Sequence, residues 1–173
     1  NLFTVYAYIV QGNGSFLKLA IINTYCVNYV PENVVRFNFK MRHHALLEAR
    51  ADCYRSNGYH VIFLGDLNIA HKEIDHCESH LIVNFNQQPH RLWLSKMLSK
   101  GYVDCFRHFN PKLEKAYTVW NQKTGARATN YGTRVDYFIA DRELLDLGII
   151  SGCRHLTDYY GSDHCPIVLE VQE

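Results

Sequence analysis

Residues 60–68 read HVIFLGDLN, an apolar run that ends abruptly on a glycine, a carboxylate and an amide. HVIFL has the length and β-branched content of a short strand. Upstream, residues 37–57 contain neither proline nor glycine. Ala45, Leu46, Ala49 and Cys53 recur there at helical spacing, while Arg42, Glu48, Arg50 and Arg55 point towards solvent, and Gly58 supplies a C-terminal stop. Further upstream, TVYAYIV and FLKLAIINTY flank QGNGS, the pattern of a β-hairpin. Leu17, Leu19, Ile21 and Asn23 share one face of its second strand; Lys18, Ala20, Ile22 and Thr24 share the other. Strand, helix and strand in that order imply an α/β protein with a helix laid over a sheet.

Downstream the pattern is less regular. Residues 71–88 are polar and irregular, and RLWLSKMLSK reads as a short helix that ends at Gly101. YTVW, RVDYFIA and CPIVLEV are further strand candidates. At 173 residues the chain is long enough for one domain with a real core and short for two. Hydrophobic residues at 47% and charged residues at 20% exclude a disordered or fibrous chain. A net charge of +1 carries no basic signature, so charge alone neither names nor excludes nucleic acid. No apolar run approaches the roughly 20 residues that span a bilayer, so no membrane partner is expected. Cys26, Cys53, Cys77, Cys105, Cys153 and Cys165 are scattered without a CxxC pair, which favours a reduced, intracellular protein. The chain opens on Asn1, directly in a β-rich pattern, and reads as a fragment.

Three stretches carry candidate chemistry. Asp66 and Asn68 stand two apart, and in an extended segment they share a side. A carboxylate there can bind a metal or take a proton from water, while a neutral amide orients an oxygen without adding charge. A plain strand-end turn is the competing reading. In RVDYFIA, Arg134, Asp136 and Phe138 share a face, and Asp136 interrupts an otherwise apolar run. It either pairs with Arg134 at the surface or orients a histidine from elsewhere. GSDH offers that histidine as His164, with Asp163 beside it for a divalent metal; a hydrogen-bonded turn is the alternative. Tyr25 and Asn28 add phosphate-facing donors after the second strand. A zinc site from His71, His76, Cys77 and His80 is weakly supported, because the Cys-x₂₋₄-Cys spacing of common structural zinc motifs is absent. Oxygen ligands favour Mg²⁺ or Mn²⁺.

GDLNIAHKEID, NYGTRVDYFIA and GSDHCPIV follow one another in the order and approximate spacing of the exonuclease III-like apurinic/apyrimidinic endonuclease family. The chain resembles that family from Leu17 onward. FNFKMRHHALLEARA and PKLEKAYTVWNQKTGAR are similar to its second eukaryotic branch, the AP endonuclease 2 proteins. The resemblance implies an endonuclease/exonuclease/phosphatase-type four-layered α/β sandwich with two mixed sheets. Residues 1–173 would then be the C-terminal portion of one catalytic domain, incomplete at the N-terminus. By resemblance, Tyr25, Asp66, Asn68, Asp136 and His164 match the catalytic set. Tyr25, Asn28, Asn68 and His164 match DNA contacts, and Asp66, Asn68, Asp163 and His164 match positions at the metal. His71 and Asp75 look like loop-organising residues. An asparagine and a metal-binding glutamate of the family's earlier half have no match here, and neither Glu32 nor Glu48 replaces them.

The implied activity is Mg²⁺-dependent hydrolysis of DNA phosphodiesters in base excision repair, with Mn²⁺ as the alternative cation. The implied substrates are damaged or 3′-recessed double-stranded DNA. The implied setting is the nucleus, with the mitochondrion second, and a sliding clamp would be bound through elements outside this chain. Thr133 stands where the major AP endonuclease has a tryptophan and Val119 where it has a phenylalanine, which shifts the expectation from abasic incision towards 3′-end processing. Two alternatives stand: an RNA or phosphoinositide phosphodiesterase of the same superfamily, and a DNA-binding or scaffold fragment with impaired catalysis.

Overall fold

A computed structural model describes residues 2–10, 14, 16–30 and 32–172. Strand β1 (Leu2–Val10) pairs antiparallel with β2 (Phe16–Thr24), Leu2 opposite Thr24 and Val10 opposite Phe16. The hairpin is as expected, although most of its turn lies outside the described residues. Strand β3 (Tyr59–Asp66) runs parallel to β2, so the chain must cross over between them, and helix α1 (Val34–Ser56) makes the crossover. The Asn33 side chain caps α1 by accepting a 2.8 Å bond from the Arg36 N–H.

Which face of α1 is buried differs from the expectation. Ala45, Leu46, Ala49 and Cys53 are exposed, and the inward stripe is Lys40, His44, Leu47 and Ala51. Two polar residues occupy core positions. The Lys40 ammonium bonds to backbone carbonyls, and the His44 ring stacks on Trp93 with centroids 4.1 Å apart. Burial and the neighbouring Lys40 charge hold His44 neutral, its pKa driven down to about 2.

Residues 71–88 form three single 3₁₀ turns (Glu73–Asp75, Ser79–Leu81, Phe85–Gln87). Helix α2 (Pro89–Ser99) then leads into β4 (Tyr102–Asp104) and the short α3 (Cys105–Phe109). The two-residue strands β5 (Val119–Trp120) and β6 (Gly132–Thr133) pair with each other. Strand β7 (Asp136–Asp141), α4 (Arg142–Asp146), β8 (Ile150–His155) and β9 (Ile167–Val171) complete the described chain. The main sheet has the order β1-β2-β3-β7-β4, and β8 and β9 form a separate antiparallel pair.

Alternation along β2 and β3 feeds a core on each face of this sheet. Ala20, Ile22, Val61 and Phe63 pack with Leu47 and Ala51 of α1 and with Leu94 and Met97 of α2. Leu19 and Ile62 pack on the opposite face with Phe106, Leu144, Ile150 and Cys153. All six cysteines are free. Among the described residues no helix is long and apolar enough to cross a membrane.

Candidate active site at the C-terminal end of β3

The site begins where β3 must stop. Gly65 has φ +117°, and a Cβ there would lie 2.2 Å from the Thr24 carbonyl oxygen, so this position needs glycine. The next residue, Asp66, stands opposite Asp136 in the β3–β7 register. The Cys26 N–H donates to the Asp66 carbonyl at 2.8 Å, and the Leu67 N–H donates to the Val135 carbonyl at 3.0 Å. Three segments far apart in sequence therefore meet at one sheet end.

Asp66 and Asn68 do come together, by a route other than an extended strand. Asn68 adopts a left-handed conformation with φ +50°, one that asparagine tolerates better than most residues. Its backbone N–H donates to Asp66 Oδ1 at 2.7 Å, and its side-chain amide donates to Asp66 Oδ2 at 2.7 Å and to the Cys26 carbonyl at 2.9 Å. With both amide hydrogens engaged, the Asn68 Oδ1 is left as an acceptor. Burial, and then repulsion from Asp136, push the Asp66 carboxyl up to about 6, with the Asn68 N–H pulling the other way.

The second half of the site is a hydrogen-bonded histidine–aspartate pair. His164 Nδ1 lies 2.9 Å from Asp136 Oδ2, and this bond raises the imidazole pKa above its ordinary value despite partial burial. Gly161, with φ +118°, lies in the loop that leads to His164. The Ser162 hydroxyl accepts from the His164 N–H at 3.1 Å and donates to Asp163 Oδ1 at 3.3 Å. Asp163 is exposed and borders a cleft of about 720 Å³ whose other walls include Val119, Thr133, Cys77, Tyr131 and Lys123.

Tyr25 is exposed at the end of β2, adjoining the Cys26–Asp66 bond. Asn28 binds Arg36 through its side-chain oxygen and accepts a 3.1 Å bond from Arg36 Nε at its backbone carbonyl. Its NH₂ group is therefore the part of the amide left for a ligand. Arg134 does not pair with Asp136. It lies just before β7, fully buried, with Nε 2.8 Å from Asp75 Oδ1 and Nη2 2.6 Å from Asp104 Oδ2. Arg107 Nε adds a 3.0 Å bond to the same Asp75 oxygen. Asp75 thus organises its loop, as expected, by joining it to the segment that delivers Asp136. His71 Nε2 lies 2.9 Å from Ser95 Oγ, and His76 Nδ1 accepts from the Glu78 N–H at 2.9 Å.

Lys40 escaped the sequence reading. It is fully buried in the N-terminal third of α1, and its ammonium donates to the carbonyls of Val27, Leu67 and Asn68 at 2.9, 2.8 and 3.2 Å. It thereby ties the loop carrying Tyr25 and Asn28 to the turn carrying Asp66 and Asn68. Burial lowers its pKa to about 8, against the opposing influence of Cys26 and Asp66. No local signal marks it, because its face of α1 carries Lys40 and His44 beside Leu47 and Ala51 and does not read as apolar.

Asp66, Asn68 and Asp163 offer hard oxygen donors, the kind that divalent Mg²⁺ and Mn²⁺ prefer. Among the described residues no group of three or more His, Cys, Asp or Glu side chains converges. The donors therefore fit such an ion in kind.

Residues 5–164 match the sequence profile of the Endonuclease/Exonuclease/phosphatase family. The chain belongs to this family. It is 40% identical over 164 residues to the Homo sapiens protein named DNA-(apurinic or apyrimidinic site) endonuclease 2, covering 89% of this chain and 32% of that protein. It is 41% identical over 114 residues to a Bacillus subtilis exodeoxyribonuclease, covering 64% of this chain and 44% of that protein. The crystal structure of the Xenopus laevis APE2 catalytic domain superposes with a TM-score of 0.90 at 36% identity, covering 97% of this chain and 54% of that one. A Neisseria 3′ phosphatase bound to a product DNA hairpin shares the fold, with a TM-score of 0.80 at 21% identity over 90% of this chain and 62% of that one. The expected endonuclease/exonuclease/phosphatase fold is thus the observed one. The chain spans about a third of the length of the AP endonuclease 2 relatives it matches.

Proposed function

We propose that the protein containing this chain hydrolyses DNA phosphodiesters in base excision repair, as an AP endonuclease and a 3′–5′ exonuclease or 3′ phosphodiesterase. The observation that carries the proposal is the meeting of the Asp66–Asn68 unit with the Asp136–His164 pair at the end of β3 and β7. The names of the matched relatives support the same chemistry. A carboxyl near 6 is close to the working range of a general base at neutral pH. Asp66 accepts the proton of the attacking water, and the Asn68 donors orient its carboxylate. His164, held by Asp136, supplies positive charge to the phosphate as negative charge develops on it. Tyr25 and the NH₂ of Asn28 donate to phosphate oxygens at the edge of the site. Asp66, Asn68, Asp163 and His164 would border a divalent ion, Mg²⁺ before Mn²⁺. Bound there, such an ion would supply Lewis-acid polarisation of the phosphate.

In the walls of the cleft beside Asp163 the short side chains of Val119 and Thr133 stand beside the aromatic Trp120 and Tyr131. With Val119 and Thr133 short, the cleft favours admission of a 3′-terminal nucleotide over tight enclosure of a bare sugar. The fitting partners are damaged or 3′-recessed duplexes, the fitting compartment the nucleus with the mitochondrion second, and a sliding clamp would bind elsewhere in the protein. Matched duplexes bearing an abasic site or a recessed 3′ end, incubated with the complete protein and Mg²⁺, test this reading. Faster release of 3′ nucleotides is expected; strongly preferred abasic incision would overturn the 3′-end preference, and hydrolysis of neither would overturn the function.

A further inference from the structure

Asp136 and His164 lie 28 residues apart in sequence, and one buried side chain between them is used by nothing described so far. Thr118 has no solvent exposure. Its Oγ1 accepts from the N–H groups of Val135 and Asp136, at 3.0 and 3.2 Å. Its backbone faces the other way as well: its N–H donates to the Thr133 carbonyl and its carbonyl accepts from the Cys165 N–H, both at 2.9 Å. The neighbouring Val119 bridges to His164, and the Trp120 N–H donates to the Asp163 carbonyl at 2.9 Å. One residue therefore holds the backbone of the carboxylate through its side chain and the backbone next to the imidazole through its main chain.

We infer that Thr118 is a positioning residue, whose hydroxyl sets where the Asp136 carboxylate meets His164. The inference rests on the proposed role of that pair. Residue chemistry isolates the hydroxyl as the part that matters. Threonine and valine are both β-branched and suit an extended segment equally, so valine would keep the backbone and nearly the volume. It would leave two N–H donors without the acceptor they have now, in a buried place where an unmade hydrogen bond is destabilising. The backbone at Val135 and Asp136 would shift to find other acceptors, carrying the carboxylate with it. Displacement of a reacting arrangement by about 1 Å costs on the order of 100-fold in rate.

The test uses the complete protein with Thr118→Val and Thr118→Ser, each also built on Asp136→Asn. Thr118→Val is expected to lower kcat on a 3′-recessed duplex by about 30- to 100-fold with little change in KM. Thr118→Ser should restore most of it. On the Asp136→Asn background, Thr118→Val should cost under about threefold, because there is no carboxylate left to position. Independently of activity, the His164 Nδ1 proton resonance should move in Thr118→Val and return in Thr118→Ser. Equal losses on both backgrounds, an unmoved imidazole resonance, or a Ser variant as impaired as Val would each overturn the assignment. Should Thr118→Val not fold, Thr118→Ala leaves the same donors unpaired and replaces it in every comparison. If the unsubstituted protein cleaves neither DNA, the proposed function fails, and the imidazole resonance still decides the role of Thr118.

Discussion

Replacing Asp75 by asparagine removes one charge from a buried group of two aspartates and two arginines. Arg134 binds both Asp75 and Asp104, Arg107 binds Asp75, and Asp75 and Arg134 have no solvent exposure. Burial raises the Asp75 carboxyl, but Arg134 and Arg107 outweigh it and hold the pKa at about 2. Against an unfolded value of roughly 3.9, that difference corresponds to about 2–3 kcal/mol of stability from ionisation alone. The substitution also leaves a buried positive charge uncompensated, and breaking such a pair costs about 3–5 kcal/mol. In a domain of this size the melting temperature should fall by roughly 6–20 °C. The sign with pH follows from the depressed folded-state pKa. The carboxylate's contribution is fully present above about pH 4 and disappears as pH falls through about 2. Urea unfolding of the complete protein and its Asp75→Asn variant at pH 7 and at pH 3 measures both effects. A loss below about 1 kcal/mol at pH 7, or a gap between the two proteins that widens on acidification, would refute the reasoning.

Three further outcomes follow from the site and its support. Asp66→Asn should lower kcat by about 100- to 10,000-fold while leaving the melting temperature nearly unchanged; retained turnover would remove Asp66 from the mechanism. In the metal-free protein, carbon-13 NMR should place the Asp66 carboxyl midpoint near 6. Asn68→Ala, by removing a donor to the carboxylate, should move it higher, and a midpoint in the ordinary aspartate range contradicts the burial argument. On α1, Leu47→Ala should destabilise by about 2–5 kcal/mol and Leu46→Lys by less than about 0.5 kcal/mol, and denaturation of the two variants in the reverse order would return the core to the face that the periodicity suggested.

The misreading of α1 and the legibility of the turn after β3 have one physical source. A strand-end site announces itself because the backbone demands particular residues. Glycine at 65 is forced by the Thr24 carbonyl, and asparagine at 68 suits its left-handed turn. Asp66 then sits between them with little choice of direction. Hydrophobic periodicity assumes instead that buried means apolar, and α1 violates that at Lys40 and His44. Lys40 is held there by the carbonyls of Val27, Leu67 and Asn68 from distant segments, whereas His44 stacks on the Trp93 ring with both ring nitrogens unpaired among the described residues. Nothing local to residues 34–56 encodes those partners, so the stripe read from sequence was rotated. Arg134 misled in the same way, since its alternation with Asp136 suggested a surface pair, whereas Asp75 and Asp104 draw it inside. The residues hardest to read are therefore the polar ones beneath the site. Their position is the reason, because Lys40, Arg134 and Thr118 each join segments that meet only in the folded chain, and the Asp66 and Asp136 carboxylates stand on those junctions.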